Sequence, residues 1–306
     1  VGSHVIAQLI DQGHNVAVLH RGETTANLLE PIQDIRGDRE RLRDFQANLE
    51  AFLPDVILDM IAFTEQQAQE LAAIAQALKV RVVAVSSGDV YRNYDGFRGK
   101  ATAPPDPVPL SEDAPLRETR FPYRGQDVAF KYADDYDKIL VEQTLLSAPE
   151  LPATIVRLPA VYGPGDRQHR LRPYLQPMAN REDAVLLEDI QANWRWSRGF
   201  VENVASALAL VVCAEHSAGH IYNLGDEPTL TEREWIEHIA TFAGWTGEVA
   251  AVPRSDLPDS LQQPVDWRYH LWTDTTAIRS DLGYVPPVSF EEAMRRTVDW
   301  EYSTLA

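Results

Sequence analysis

Lys131-Tyr132-Ala133-Asp134-Asp135-Tyr136-Asp137-Lys138 places two lysines, two tyrosines and three aspartates in one short stretch. An ammonium beside a phenol or a carboxylate lowers that partner's pKa, the usual preparation for general acid–base chemistry. The stretch reads as the first turns of a helix continuing through Val141-Glu142-Gln143. On such a helix, residues four apart share a face, which aligns Asp134 with Lys138. Tyr136 points roughly 200° around the axis from Lys138, and Tyr132 is about 120° off.

The elements that must position these residues alternate strand and helix. Val1 to Gly13 has helical spacing, with Val5, Ile6, Leu9 and Ile10 on one face. Gly13 is a stop signal, and Asn15–His20 reads as a buried strand. A glycine-led helix feeding such a strand is the back half of a βαβ nucleotide-binding unit. Gly2 then stands where the last glycine of a phosphate-binding loop is expected. The front strand and the rest of the loop, about a dozen residues, are expected upstream of Val1. Arg21 follows the second strand, where an arginine accommodates a ribose 2′-phosphate, so NADP is slightly favoured over NAD. Strands over Asp55–Phe63 and Val80–Ser87 flank an alanine-rich helix over Glu65–Leu78. The alternation calls for an α/β fold with a doubly wound parallel sheet. Tyr91 to Gly125, rich in proline, reads as a long loop after a strand's carboxyl end, where active-site lids are built.

Composition narrows the function. The net charge of −18, from 46 acidic and 28 basic residues, disfavours nucleic acid as a partner. The single cysteine, Cys213, excludes a disulfide framework within one chain. Its place at the end of an apolar run reads as a buried structural thiol. No apolar run approaches the ~20 residues of a membrane span, and a cytoplasmic location is expected. His216 and His220 are four apart, but Gly219 lies between them and breaks the helix a shared zinc would need. No metal is proposed.

Several signatures stand in order: the Gly-led helix, Ser86-Ser87-Gly88-Asp89-Val90-Tyr91, the Lys138 helix, and Arg157-Leu158-Pro159-Ala160-Val161-Tyr162-Gly163-Pro164-Gly165-Asp166. Ile221-Tyr222-Asn223-Leu224-Gly225 and Leu282-Gly283-Tyr284-Val285-Pro286 close the series. Together they resemble the extended and atypical short-chain dehydrogenase/reductase superfamily, and within it the NAD-dependent epimerase/dehydratase family, over nearly the whole chain. The resemblance implies a Rossmann-type domain over 1–166, to which segments near 194–204 and 221–245 return. A smaller, discontinuous substrate lobe is implied over most of 167–306. It implies cofactor contacts from Asp38 with Arg39 beside it, from Ile61, Ala62 and Phe63, from Ser86 and Ser87, and from Leu158, Pro159 and Val161. Lys138 would hold the cofactor ribose, Ser87 would lie by cofactor and substrate, and Tyr91 would face the substrate. A homodimer is a further option among such proteins.

The family pattern is Tyr-x-x-x-Lys, and four residues before Lys138 stands Asp134. Three readings are open. Asp134 takes the acid–base position, as a usable base and a poor acid. Or the helix starts later or bulges, bringing Tyr136 to the cofactor. Or the pair is lost, leaving an NAD(P)-binding sensor or interaction module. On the substrate side, arginines cluster at 167–172 and at Arg195 and Arg198, interleaved with Trp194 and Trp196. Guanidinium groups match phosphate oxygens. Arg124, Arg170 and Arg198 are therefore candidates to clamp a small anionic substrate such as a sugar nucleotide. The alternative is that these arginines pair with surplus carboxylates. The leading expectation is NAD(P)-dependent epimerisation, dehydration or reduction of such a substrate.

Overall fold

The computed structural model describes residues 1–23, 32–101 and 103–305. Helix α1 (Gly2–Asp11) ends before Gly13, whose φ of +84° turns the chain into strand β1 (Val16–His20). Strand β2 (Ile32–Arg36) pairs with β1 in parallel. A 3-10 helix over Arg39–Phe45 leads to α2 (Gln46–Phe52), β3 (Val56–Asp59), α3 (Glu65–Leu78) and β4 (Arg81–Ser87). After a 3-10 turn over Gly88–Val90 come α4 (Arg92–Phe97), a long irregular segment, α5 (Lys138–Ser147) and β5 (Ala153–Leu158). Next are β6 (Ala160–Tyr162), α6 (Arg172–Ala179), β7 (Ala184–Glu188), β8 (Arg198–Phe200), α7 (Val201–Cys213) and β9 (Ile221–Asn223). Helix α8 (Glu232–Ala243), β10 (Glu248–Val252), α9 (Thr276–Leu282) and α10 (Phe290–Ser303) complete the chain.

The main sheet is parallel, in the order β3-β4-β5-β9. Strand alternation explains its two covered faces. Val82 and Ala84 of β4 and Ile155 of β5 pack with α3 and α5. Val83 and Val85 of β4 and Val156 of β5 pack with α1 and α7. Among the described residues β1 pairs only with β2, β6 only with β8 and β7 only with β10, each pair parallel and separate from the four-stranded sheet. A separate apolar cluster joins α6, β7, α8 and α10 through Leu175, Val185, Ile236 and Met294. The 221–245 segment therefore divides: β9 joins the main sheet, whereas α8 packs on α6 and α10. Cys213 corrects the expectation of a buried thiol. It is exposed at the end of α7, with Sγ 3.2 Å from His14 Nε2.

Helix α5 begins seven residues later than the spacing predicted, at Lys138 rather than Lys131. Asp137 is the reason. Its Oδ1 accepts the Ile139 N–H at 3.0 Å, which makes it the N-cap, and an N-cap residue lies outside helical backbone geometry. Residues 132–135 form turns instead.

Candidate active site

Strands β3, β4 and β5 end side by side, and the residues of interest sit at and just beyond their carboxyl ends, where open α/β sheets bind ligands. Lys138 opens α5 and is buried; its Nζ donates to the carbonyls of Ala62 at 2.8 Å and Val85 at 2.7 Å. Burial lowers its pKa from 10.5 to about 8, against the opposing pull of Asp59, Asp89 and Glu142. Tyr136 precedes the N-cap and is also buried. Its hydroxyl donates to Asp89 Oδ2 at 2.7 Å. Asp89 lies in the turn after β4, and its Oδ1 is buried with no partner among the described residues.

The electrostatics of this pair follow from burial. Desolvation raises the Asp89 pKa, opposed by the nearby charges of Arg117 and Lys138 and by the phenols of Tyr136 and Tyr123. The Tyr136 pKa is pushed well up, first by burial and then by the Asp89 carboxylate, while the neighbouring Ser87 hydroxyl opposes the rise. A carboxyl that holds its proton more tightly than usual and a phenol in contact with it can exchange one proton. Lys138 acts on Asp89 through its charge rather than by direct bonding.

This geometry excludes the first reading of the helix and corrects the placement of Asp134. That residue is exposed, its Oδ1 accepting the Gly125 N–H at 2.9 Å, because it lies in a turn and not one helical turn before Lys138. The structure instead brings together Ser87, Asp89, Tyr136 and Lys138.

A family model described as "NAD dependent epimerase/dehydratase family" matches residues 1–225. The chain belongs to this family. Among curated relatives, dTDP-glucose 4,6-dehydratase of Streptomyces niveus is 30% identical over 153 residues, covering 49% of this chain and 42% of that protein. The 2'-dehydrokanamycin reductase of Streptomyces kanamyceticus is 27% identical over 274 residues, covering 86% of this chain and 69% of that protein. Across the first curated relatives matched, the chain spans about half of their length. The fold is also that of the Thermus thermophilus UDP-glucose 4-epimerase in complex with NAD. The TM-score is 0.65 at 21% identity, over 98% of this chain and 95% of that one.

The other residues expected at an epimerase/dehydratase site fall into two groups. Ile61 is exposed, and Leu158, Pro159 and Val161 are partly exposed around the end of β5. Phe63 is half-buried, 4.7 Å from the Lys138 ammonium and 5.2 Å from the Phe130 ring. Gly2 opens α1, and the amide end of a helix is the end that suits a phosphate. Arg21 is exposed at the end of β1, 3.1 Å from Glu23.

The second group is turned inward. Tyr91 is fully buried, its hydroxyl donating to Asn223 Oδ1 at 2.6 Å and accepting from Arg157 at 2.9 Å. It is a core residue rather than a substrate contact, because its hydroxyl is spent on Asn223 and Arg157 inside the fold. The Ser86 hydroxyl donates to Glu142 beneath the sheet end, since alternate residues of a strand face opposite sides. Ala62 is buried and contributes only its carbonyl, to Lys138. Asp38 caps the following 3-10 turn through the Glu40 N–H at 3.0 Å. Arg39 is held inside by Asp59 at 2.8 Å and the Gln67 carbonyl at 2.9 Å.

Each candidate arginine has carboxylate or carbonyl partners. Arg170 bonds Asp166 at 2.6 Å and the Val161 carbonyl at 2.8 Å. Arg198 pairs with buried Glu232 and lines a small cleft with Trp196, Asp226 and Trp235. Arg124 is exposed, 3.8 Å above the Phe121 ring. Trp194 is buried against Phe97 and Trp267, which removes it as a stacking surface for a ligand. The sequence reading missed Asp89 although it lay inside a quoted motif, just beyond the end of β4. An acidic residue after a sheet strand was the available signal.

Proposed function

We propose that this protein uses NAD(H) to oxidise and reduce a hydroxyl-bearing carbon of a nucleotide-linked sugar, as an epimerase or dehydratase. Asp89 and Tyr136 handle the protons. The observation that carries this reading is the 2.7 Å bond between the Tyr136 hydroxyl and Asp89, both buried at the sheet's carboxyl end beside Lys138. The nucleotide-sugar class is supported by the names of the dehydratase and epimerase that the chain resembles.

The chain's residues fit a dinucleotide. The first turn of α1 would face its phosphates, Lys138 and the ends of β3 to β5 would hold the ribose and nicotinamide, and Arg21 would meet the adenosine ribose. When bound, the nicotinamide supplies a hydride acceptor. Tyr136 takes the substrate hydroxyl proton while passing its own to Asp89. One O–H bond breaks on each donor and one forms on each acceptor. The raised Asp89 pKa suits it to receive that proton, whereas the high Tyr136 pKa makes a free phenolate costly. Ser87 orients the substrate hydroxyl, and the Lys138 charge keeps Asp89 from remaining neutral. Arg198, beside Trp196, serves the nucleotide end.

A second reading is NAD(P) binding without turnover. It is favoured by Lys138, whose ammonium already satisfies two backbone carbonyls. One experiment separates the two. The full-length protein is incubated with NAD and either UDP-glucose or dTDP-glucose, following product by NMR and reduced cofactor at 340 nm. Turnover abolished in Tyr136→Phe and Asp89→Asn supports the enzyme. Cofactor binding with no conversion of either sugar favours the second reading.

A further inference from the structure

The hydrogen-bonded groups at the site extend beyond Tyr136 and Asp89. The Tyr123 hydroxyl also donates toward Asp89 Oδ2, at 3.4 Å, the longest link, and it lies 2.8 Å from the Tyr94 hydroxyl. Tyr94 is on α4 and Tyr123 is on the irregular segment before α5, so two separate pieces of chain deliver hydroxyls to one carboxylate. Asp89 is buried, whereas Tyr94 and Tyr123 are half-buried. Oxygen atoms therefore run in series from these two half-buried tyrosines to the inner pair.

The outer phenols are held in place. The Arg98 guanidinium sits 5.0 Å from the Tyr123 ring and 5.8 Å from the Tyr94 ring, and Arg98 also donates to Gln126. Lys100 donates to the Pro122 carbonyl at 3.1 Å and ties the segment down next to Tyr123. The Tyr123 and Tyr136 rings are 5.2 Å apart.

We propose that Tyr94 and Tyr123 form a proton relay between solvent and Asp89 that keeps the proton shared by Asp89 and Tyr136 in exchange with water. The proposal rests on the reading of that pair as the acid and base. Inward, a solvent proton bonds to the Tyr94 oxygen as Tyr94 gives its own proton to Tyr123. Tyr123 in turn gives its proton to Asp89 Oδ2. Each phenol gains and loses one O–H bond, and the net change is one new O–H on Asp89. Outward flow is the reverse. Burial holds both outer phenols above the usual tyrosine range, so they pass protons without lingering as phenolates. Neither tyrosine needs to touch substrate, so both are positioning residues acting through Asp89.

The test follows the Tyr136 hydroxyl in the full-length protein carrying ¹³Cζ-tyrosine, by exchange NMR in mixed H₂O and D₂O. Exchange is expected to be fast in the wild type despite burial, and at least tenfold slower in both Tyr94→Phe and Tyr123→Phe. Tyr132→Phe is the packing control. Its ring stands 5.5 Å from Phe63 in the same aromatic group, outside the hydroxyl series, and should leave exchange unchanged. Slow wild-type exchange, unchanged exchange in the two relay variants, or equal slowing in Tyr132→Phe overturns the relay. Slowed exchange in a protein that converts no nucleotide-sugar upholds the relay and refutes the enzyme reading. Turnover with unchanged exchange does the opposite.

Discussion

Arg117 Nη2 lies 2.9 Å from Asp137 Oδ1, and both side chains are fully enclosed. The same carboxylate accepts the Ile139 and Phe121 N–H groups, each at 3.0 Å, and the Asp137 N–H reaches the Phe63 carbonyl at 3.0 Å. This knot starts α5 and anchors the segment carrying Tyr123. Replacing Arg117 with methionine leaves a buried carboxylate without its partner charge, which costs about 3–5 kcal/mol. Urea denaturation should show that loss as a lower midpoint, and a change below ~1 kcal/mol would contradict the clamp.

The turn geometry makes Asp134 and Tyr136 unequal. Tyr136→Phe should lower kcat on a nucleotide-sugar by roughly 10²–10⁴-fold, the usual span of a lost acid–base group. Asp134→Ala should stay within about twofold, since its side chain only meets the Gly125 amide in solvent. Steady-state kinetics of the two variants, side by side, decide the assignment.

Lys138 imposes a pH dependence on stability. Its pKa in the folded chain, about 8, lies below the ordinary 10.5, so the unfolded chain binds more protons between those values. Stability from this group therefore rises with pH across that window, by on the order of 3 kcal/mol in total. The difference in unfolding free energy between wild type and Lys138→Met, measured from pH 7 to 11, should change with that sign. A flat difference would mean that the ammonium is not desolvated.

Arg21 tests the cofactor preference. A serine there should weaken NADP binding by about tenfold and leave NAD affinity unchanged, because only the 2′-phosphate needs the guanidinium. Calorimetry with both cofactors reads the ratio, and equal losses for the two would remove Arg21 from that role.

Thr231 and Glu234 form a reciprocal capping box at the start of α8, with bonds of 3.2 Å and 2.7 Å. Thr231→Ala should cost about 1 kcal/mol. A thermal midpoint within error of the wild type would show that tertiary packing alone holds this helix end.

Much of this architecture was readable in one dimension. α1 lies within the limits given by its apolar spacing and its glycine stop, and α3 spans the alanine-rich stretch read as a helix. The Thr231 box needed only its three-residue spacing. The arginines were harder, because a guanidinium's partners lie far away in sequence: Arg198 meets Glu232, and Arg172 meets Glu301. Charge clustering alone does not separate a phosphate clamp from an ion pair. Tyr91 shows the same limit, since its burial depends on Arg157 and Asn223 from two other strands.

Local sequence thus determined the alternation of strands and helices, the parallel sheet, the family, and the importance of the stretch around Lys138. Those properties follow from side-chain periodicity and short-range capping. Tertiary structure alone decided which group faces Lys138's end of the sheet. Helical periodicity carried Asp134 onto the face of Lys138. The buried Arg117 charge, twenty residues before Asp137, holds that carboxylate as the cap, so the helix cannot begin earlier. The resulting turn hides Tyr136 against Asp89 and leaves Asp134 in water.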